Sequence, residues 1–139
     1  MTRLVLDASV ALAWLVDKPG SPYAIRVQNS FDAGARGLVP ALWYLEMANG
    51  LVVATRRKDL TPEDADQGLE FIEQMLVYAI EPDADPVSVR NVFVTARTHQ
   101  LSAYDAAYLD LARREGLPLA TLDQRLRAAA KTARVELFQ

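Results

Sequence analysis

The sequence predicts one α/β domain in which a mostly parallel central sheet carries helices on both faces. Short apolar runs alternate along the chain with segments of helical periodicity, which is the pattern of parallel strands joined by crossover helices. A chain of 139 residues is long enough to form one such domain, residues 1–139, with a substantial core. The order of the strands in the sheet does not follow from these patterns.

The first half of the chain is expected to contain three strands and four helices. In chain order these are a strand at 3–6, helices at 8–16 and 21–32, a strand at 37–40, helices at 42–57 and 61–78, and a short strand at 79–81. Ser21-Pro22 and Thr61-Pro62 each combine a capping side chain with proline at the first helical position, which marks the start of a helix.

The second half is expected to contain three helices and two strands. Asp85-Pro86 opens a helix that ends near Gln100, and Ser102 opens another that stops at Gly116. A strand at 117–121, a helix capped by Asp123 and a last strand at 135–138 complete the predicted elements.

Four acidic residues lie inside or beside apolar segments, where a charge is hard to explain: Asp7, Glu46, Asp105 and Asp123. Arg3 is the only basic residue within four positions of the first three, so local ion pairs do not neutralise them. Carboxylates that converge in a buried pocket repel one another and raise each other's pKa unless a cation joins them. The four together therefore predict a divalent metal site.

The predicted architecture gives these acids a reason to meet. Asp7 and Asp123 follow apolar strands, and open α/β sheets bind their ligands beyond the carboxyl ends of the strands. Asp105 falls in the first turn of a helix. Taken one at a time, Asp7, Asp105 and Asp123 are most simply explained as helix caps or first-turn acids. Glu46 lies in the middle of a helix, with Asn49 one turn further on the same face, and has no such explanation.

The absence of cysteine narrows the chemistry. Hard oxygen ligands without thiolates favour Mg²⁺ or Mn²⁺ over zinc or copper. The single histidine, His99, lies at a helix end and is interpreted as a solvated residue. A chain without cysteine is compatible with a reducing, cytoplasmic location. Asp7 and Asp17 interrupt the first apolar run, so neither a signal peptide nor a membrane span is expected.

Charge is distributed unevenly along the chain, although the net charge is only −3. Residues 59–85 contain nine acids and no Lys or Arg. Residues 1–58 contain seven basic and four acidic residues, and residues 86–139 contain eight basic and five acidic, so both parts are positive. The four selected acids belong to the positive parts, which are suited to attract a polyanion.

Four ordered segments carry a resemblance to a known family: LVLDAS at 4–9, EMAN at 46–49, SAYDAAYL at 102–109 and TLDQRL at 121–126. Together they resemble the PIN-domain family, and within it the VapC-type toxins of toxin–antitoxin systems. The resemblance implies a PIN-like three-layer fold and a Mg²⁺- or Mn²⁺-dependent endoribonuclease whose catalytic and metal-binding residues are the four acids. It also implies supporting roles for Ser9, Asn49 and Thr121.

The resemblance further implies an RNA substrate, cleavage that leaves a 5′-phosphate, a homodimer, and a partner antitoxin that covers the acidic groove. Basic residues near the acids are the expected RNA contacts, namely Arg125 and Arg127 first, then Arg56, Arg57 and Lys58. Large apolar residues of the first four helices are expected in the core for the most part, with the remainder available for association; they are Trp14, Trp43, Tyr44, Phe71, Met75 and Tyr78.

Other function classes fit less well. A receiver-type signalling domain needs adjacent acids after the first strand, whereas Asp7 stands between Leu6 and Ala8. A haloacid-dehalogenase-type phosphatase needs a second Asp two residues after the first, where this chain has Ser9. Two alternatives stay open: a PIN nuclease of RNA processing, and a non-catalytic PIN domain that binds RNA or protein. The complete set of acids disfavours the non-catalytic alternative.

Overall fold

Four short strands form one parallel sheet, with the first strand of the chain near its centre. A computed structural model describes residues 2–17 and 19–139. The strands are β1 (Arg3–Leu6), β2 (Arg36–Val39), β3 (Ile80–Pro82) and β4 (Leu119–Ala120). Their order is β3-β2-β1-β4 and every pairing is parallel, with Val5 of β1 opposite both Leu38 and Leu119. The predicted parallel sheet is confirmed.

Helices cover both faces of this sheet, as predicted, and give a three-layer fold. Within the described ranges they are α1 (Ala8–Val16), α2 (Pro22–Asp32), α3 (Leu42–Arg56), α4 (Pro62–Tyr78), α5 (Val89–His99), α6 (Ala103–Glu115) and α7 (Gln124–Thr132). Side-chain caps start five of them, because Ser21, Thr61, Ser88, Ser102 and Asp123 each accept a backbone N–H of the first turn. None of the described helices is long and apolar enough to cross a bilayer.

The start of the fifth helix was predicted wrongly. It begins at Val89 rather than at Asp85-Pro86, and Ser88 caps it by accepting the N–H of Asn91 at 3.2 Å. The preceding loop is held by contacts distant in sequence, because Arg114 of α6 donates to Asp83 Oδ1 at 2.6 Å. Arg114 Nη2 also lies 3.7 Å from Asp85 Oδ2, and these contacts between residues distant in sequence were not predicted.

The predicted last strand, at 135–138, is reduced to a single parallel bridge between Leu119 and Leu137. Leu119 donates its N–H to the carbonyl of Glu136 and accepts from the N–H of Phe138. Because β4 contains only two residues, it offers the C-terminal segment no further partners and no ladder forms.

The packing of the helices places the carboxyl ends of β1 and β4 at the bottom of a cleft. Helix α6 lies against both strands, with α5 and α7 beside it, while α1 contacts α2 and α3. Residues Leu4, Val5 and Leu6 of β1 are fully buried between these layers. Gly50 allows α3 to approach α1 closely, since a Cβ there would collide with the side chain of Leu12.

Candidate active site

Asp7 follows the central strand and is almost fully buried, with 5% of its surface exposed. Its N–H donates to the carbonyl of Ala120 at 3.0 Å, which joins the ends of β1 and β4. Asp7 occupies the N-cap position of α1, but its side chain makes no capping hydrogen bond. The carboxylate instead accepts the hydroxyls of Ser9 at 2.6 Å and Thr121 at 2.7 Å. A simple capping role therefore does not explain this acid.

The two hydroxyls are themselves fixed by the backbone. Ser9 Oγ accepts the N–H of Leu122 at 3.0 Å, and Thr121 Oγ1 accepts the N–H of Asp123 at 3.0 Å. Each hydroxyl therefore directs its proton to Asp7, and both protons go to the same oxygen, Oδ2. No side chain in the described ranges donates to Oδ1. One oxygen of Asp7 is thus held in place while the other stays available for a cation.

Glu46 and Asp105 come from helices and are half-buried. Glu46 lies in α3, and its Oε1 accepts the hydroxyl of Tyr108 at 2.6 Å. Asp105 lies in the first turn of α6, where its N–H donates to Ser102 Oγ at 3.1 Å. Tyr108 lies one turn after Asp105 on the same helix, and its contact with Glu46 was not predicted from the sequence.

Asp123 combines a structural role with proximity to the other acids. Its Oδ1 accepts the N–H of Leu126 at 2.9 Å and so caps α7, as predicted. Its second carboxylate oxygen makes no hydrogen bond to another described residue. The side chain can therefore cap the helix with one oxygen and present the other to the cleft.

All four acids line one cleft of about 520 Å³, together with Ser9 and Asn49. Of the basic residues predicted to bind RNA, only Arg57 is among the described residues that line it. A cleft of about 640 Å³ lies elsewhere, between α5, α6 and the loop before α5, and it contains Asp110 and Arg114. Asp110 accepts from Thr95, and Arg114 pairs with acids of the loop, so this larger cleft lacks a set of converging free carboxylates. The acid-lined cleft is the better candidate for chemistry.

The acids influence one another electrostatically. Burial raises the pKa of Asp7, the Ser9 and Thr121 hydroxyls oppose this, and the charge of Asp123 raises it further. Burial also raises the pKa of Glu46, against the hydroxyl of Tyr108 and with added repulsion from Asp7 and Asp105. The pKa of Asp105 is raised by burial and by the charges of Asp123 and Asp7. Without a cation, these groups hold their negative charge at a free-energy penalty.

The donor set fits a hard divalent cation. Mg²⁺ and Mn²⁺ take oxygen ligands, and Mg²⁺ usually keeps several waters with only one or two protein carboxylates. Within residues 2–17 and 19–139, no three acids are already gathered closely enough to enclose a metal ion. In the cleft, two hydroxyls hold one carboxylate oxygen of Asp7, and the other three acids line the same space.

Comparisons with known proteins agree with this fold. The PIN domain family matches residues 4–132. Ribonuclease VapC3 of Pyrobaculum aerophilum is 31% identical over 125 residues, which span 89% of this chain and 92% of that protein. The crystal structure of PAE2754 from Pyrobaculum aerophilum has a TM-score of 0.70 at 22% identity, covering 92% of this chain and 84% of that one. FitAcB from Neisseria gonorrhoeae has a TM-score of 0.67 at 21% identity, covering 98% and 96%. The chain therefore belongs to the PIN-domain family, and within it to the VapC-type proteins.

Proposed function

We propose that this protein is a divalent-metal-dependent endoribonuclease and the toxin of a toxin–antitoxin pair. The observation that carries the proposal is the arrangement at Asp7, where two hydroxyls hold one oxygen and three further acids line the same cleft. The similarity of the chain to Ribonuclease VapC3 supports RNA cleavage as the reaction.

In such a reaction, the residues of the cleft would have different roles. Mg²⁺ or Mn²⁺, when bound, would lower the pKa of a water and stabilise the charge that develops on a phosphate. Asp7 is the central ligand in this proposal because two hydroxyl donors hold one of its carboxylate oxygens in place. Glu46, Asp105 and Asp123 complete the acidic set, while Ser9 and Thr121 orient Asp7. Asn49 lies in the same cleft, where its amide is suited to bind a water or a phosphate oxygen.

RNA is proposed to dock on the basic residues around the cleft. Arg57 lines the cleft directly, and Arg56 and Lys58 are its exposed neighbours at the end of α3. Arg125 is exposed in the first turn of α7, next to Asp123. These side chains would offset the repulsion between the acids and a polyanion. Arg127, the fifth predicted contact, is held by internal contacts.

An antitoxin and a second copy of the chain are the proposed protein partners. A cationic side chain inserted among the acids would relieve their repulsion as a metal does, which gives inhibition a physical basis. Of the large apolar residues expected mostly in the core, Trp43 is fully buried, whereas Tyr44 and Tyr78 are exposed and available for association. Other large apolar side chains on the surface, such as Leu45 at 76% exposure, add area for self-association.

The reaction is tested with labelled structured and unstructured RNAs incubated with Mg²⁺, Mn²⁺ or EDTA. Asp7→Asn should lower cleavage by more than about a hundredfold, since even residues that only support a metal ligand contribute about 10–100-fold. Asp59→Asn is the matched control, because Asp59 lines the same cleft but is exposed and outside the acidic set. Full cleavage by Asp7→Asn, or cleavage that persists in EDTA, would refute the proposal.

A further inference from the structure

Three parts of the chain meet behind Thr121: helix α2, helix α7 and the C-terminal segment. Arg127 of α7 donates from Nη1 to the carbonyl of Thr121 at 2.8 Å. Its guanidinium lies over the ring of Tyr23 of α2, with Cζ 4.9 Å from the ring centroid. The hydroxyl of Tyr23 donates to the carbonyl of Phe138 at 2.7 Å. Arg127 is therefore clamped between an aromatic ring and the backbone at the end of β4.

The contact with Arg127 holds a residue that lies outside the sheet. Strand β4 ends at Ala120, so Thr121 lies beyond the last residue that pairs with β1. The described residues offer its carbonyl one donor, which is Arg127. The hydroxyl of Thr121 donates to Asp7, and its oxygen accepts the N–H of Asp123. A displacement of the Thr121 backbone would therefore move contacts to two of the four acids.

We propose that Arg127, supported by Tyr23, is a positioning residue that fixes Thr121 and through it Asp7. This proposal rests on the function proposed above. It gives Arg127 a role other than the phosphate contact expected from its sequence position. Arg125 provides the contrast, since it lies two residues earlier on α7, is exposed, and makes no hydrogen bond or ion pair with other described residues.

The location of Arg127 supports this assignment. Its side chain is only partly exposed, and it is absent from the described residues that line the acidic cleft, whereas Arg57 is among them. To bind a phosphate in that cleft, Arg127 would have to give up both the Thr121 carbonyl and the Tyr23 ring. Planar stacking together with hydrogen bonding is also a property of arginine that lysine does not reproduce.

The experiment compares Arg127→Ala, Arg127→Lys and Arg125→Ala in the full chain. The measurements are kcat and KM for RNA cleavage, the salt dependence of RNA binding in an Asp7→Asn background, and the Mn²⁺ affinity of the RNA-free protein. Arg127→Ala should lower both kcat and Mn²⁺ affinity by about 10–100-fold, as expected for a group that supports a metal ligand. Its KM and salt dependence should stay unchanged. Arg125→Ala should instead raise KM and reduce the salt slope by about one unit.

Two further variants keep the test decisive if Arg127→Ala fails to fold. Arg127→Lys retains the charge but not the stacked plane, and Tyr23→Leu removes the ring and leaves the arginine in place. Both should weaken Mn²⁺ binding, whereas Lys131→Ala, further along α7, should not. A raised KM and a lower salt slope in Arg127→Ala, with normal Mn²⁺ affinity, would overturn the proposal and restore the phosphate contact. Wild-type protein that bound no Mn²⁺ and cleaved no RNA would overturn the proposed function itself.

Discussion

The two sides of the acidic cleft are built differently. The strand side, Asp7 with Ser9 and Thr121, lies at the ends of β1 and β4. Asp7 and Thr121 are buried there, and each of the two hydroxyls is fixed by a backbone N–H. The helix side, Glu46 and Asp105, is half-buried and less constrained. Among the described residues, Tyr108 is the one side-chain donor to Glu46. One side is preorganised, and the other retains freedom to adjust.

This difference suggests how an acidic site is kept without a metal. Repulsion among carboxylates is smallest when some of them can turn toward water, and the helix side can do so because it is half-exposed. The strand side cannot, so its charge is compensated by two hydroxyl donors.

Among changes to the hydroxyls that support the acids, the largest effect is expected on the strand side, from Thr121→Val. The variant keeps the shape but removes the hydroxyl that donates to Asp7, and leaves the N–H of Asp123 without its acceptor. Cleavage should fall by about 10–100-fold. Stability should fall by about 1–3 kcal/mol, because Thr121 is fully buried and the orphaned N–H loses its partner. RNA cleavage and urea denaturation measure the two effects.

The matched control is Thr95→Val, which removes the hydroxyl of another buried threonine. Thr95 donates to Asp110 at 2.6 Å, away from the acidic cleft. It should lose a comparable amount of stability and retain its cleavage rate. Equal losses of activity in both variants would mean that Thr121 acts through general stability alone.

A smaller effect is expected on the helix side from Tyr108→Phe. The ring stays in the core, and only the hydroxyl that donates to Glu46 is lost. Because Glu46 is half-buried, water can replace the lost donor, so cleavage should fall by no more than about tenfold, the low end for a supporting residue. Stability should fall by about 0.5–1.5 kcal/mol.

Tyr78→Phe removes a hydroxyl from an exposed tyrosine of α4 and should change neither quantity. The comparison between the two sides of the cleft depends on the order of the two losses. If Tyr108→Phe proved more damaging to cleavage than Thr121→Val, the helix side would be the constrained one.

The sequence predicted those parts of the fold that depend on local chemistry. Caps at Ser21, Thr61 and Asp123 were identified because a side chain three residues from its backbone partner makes the contact. The start of α5 was wrong because Ser88, rather than Asp85, caps the helix, while Asp83 and Asp85 pair with Arg114, which is distant in sequence. The order of the strands could not be predicted, since parallel pairing depends on the whole chain.

At the candidate site, too, contacts between residues distant in sequence were not predicted. The four acids stood out because a charge in an apolar segment needs an explanation, and the structure brings all of them to one cleft. The contacts of Tyr108 and Arg127 were missed. Tyr108 meets Glu46 across 62 residues, and Arg127 is read from sequence as a solvated or phosphate-binding cation until Tyr23 is placed beneath it.

A third prediction concerns metal-free protein and pH. Because burial raises the pKa of Asp7, the folded state binds that proton more tightly than the unfolded state does. The resulting stabilisation is fully present below the unfolded pKa of about 3.9 and is lost as pH rises through the folded value. At pH 7 in EDTA, Asp7→Asn should therefore melt higher than wild type, and the difference should shrink toward about pH 4. For a chain of this size, 1 kcal/mol corresponds to about 4 °C in Tm.

Two further variants serve as comparisons in the pH experiment. Glu46→Gln should show the same trend with a smaller difference, because Glu46 is half-exposed and water screens its charge. Asp32→Asn, at the exposed end of α2, should show none. Equal melting of Asp7→Asn and wild type at pH 7 would contradict the assignment of a buried charge to the strand side.

The smallest change in stability is expected from Asp123→Asn, which separates the capping role of Asp123 from its proposed role at the metal. Asparagine caps helices about as well as aspartate, so the N–H of Leu126 keeps its acceptor and stability should change by less than about 0.5 kcal/mol. Asp123→Ala removes the cap as well and should cost about 0.5–2 kcal/mol. Urea denaturation in EDTA measures both, and RNA cleavage is measured alongside. If Asp123 is a ligand, both variants lose cleavage although only one loses stability. An Asp123→Asn protein that cleaved RNA at the wild-type rate would reduce Asp123 to a helix cap and leave Asp7, Glu46 and Asp105 as the candidate ligands.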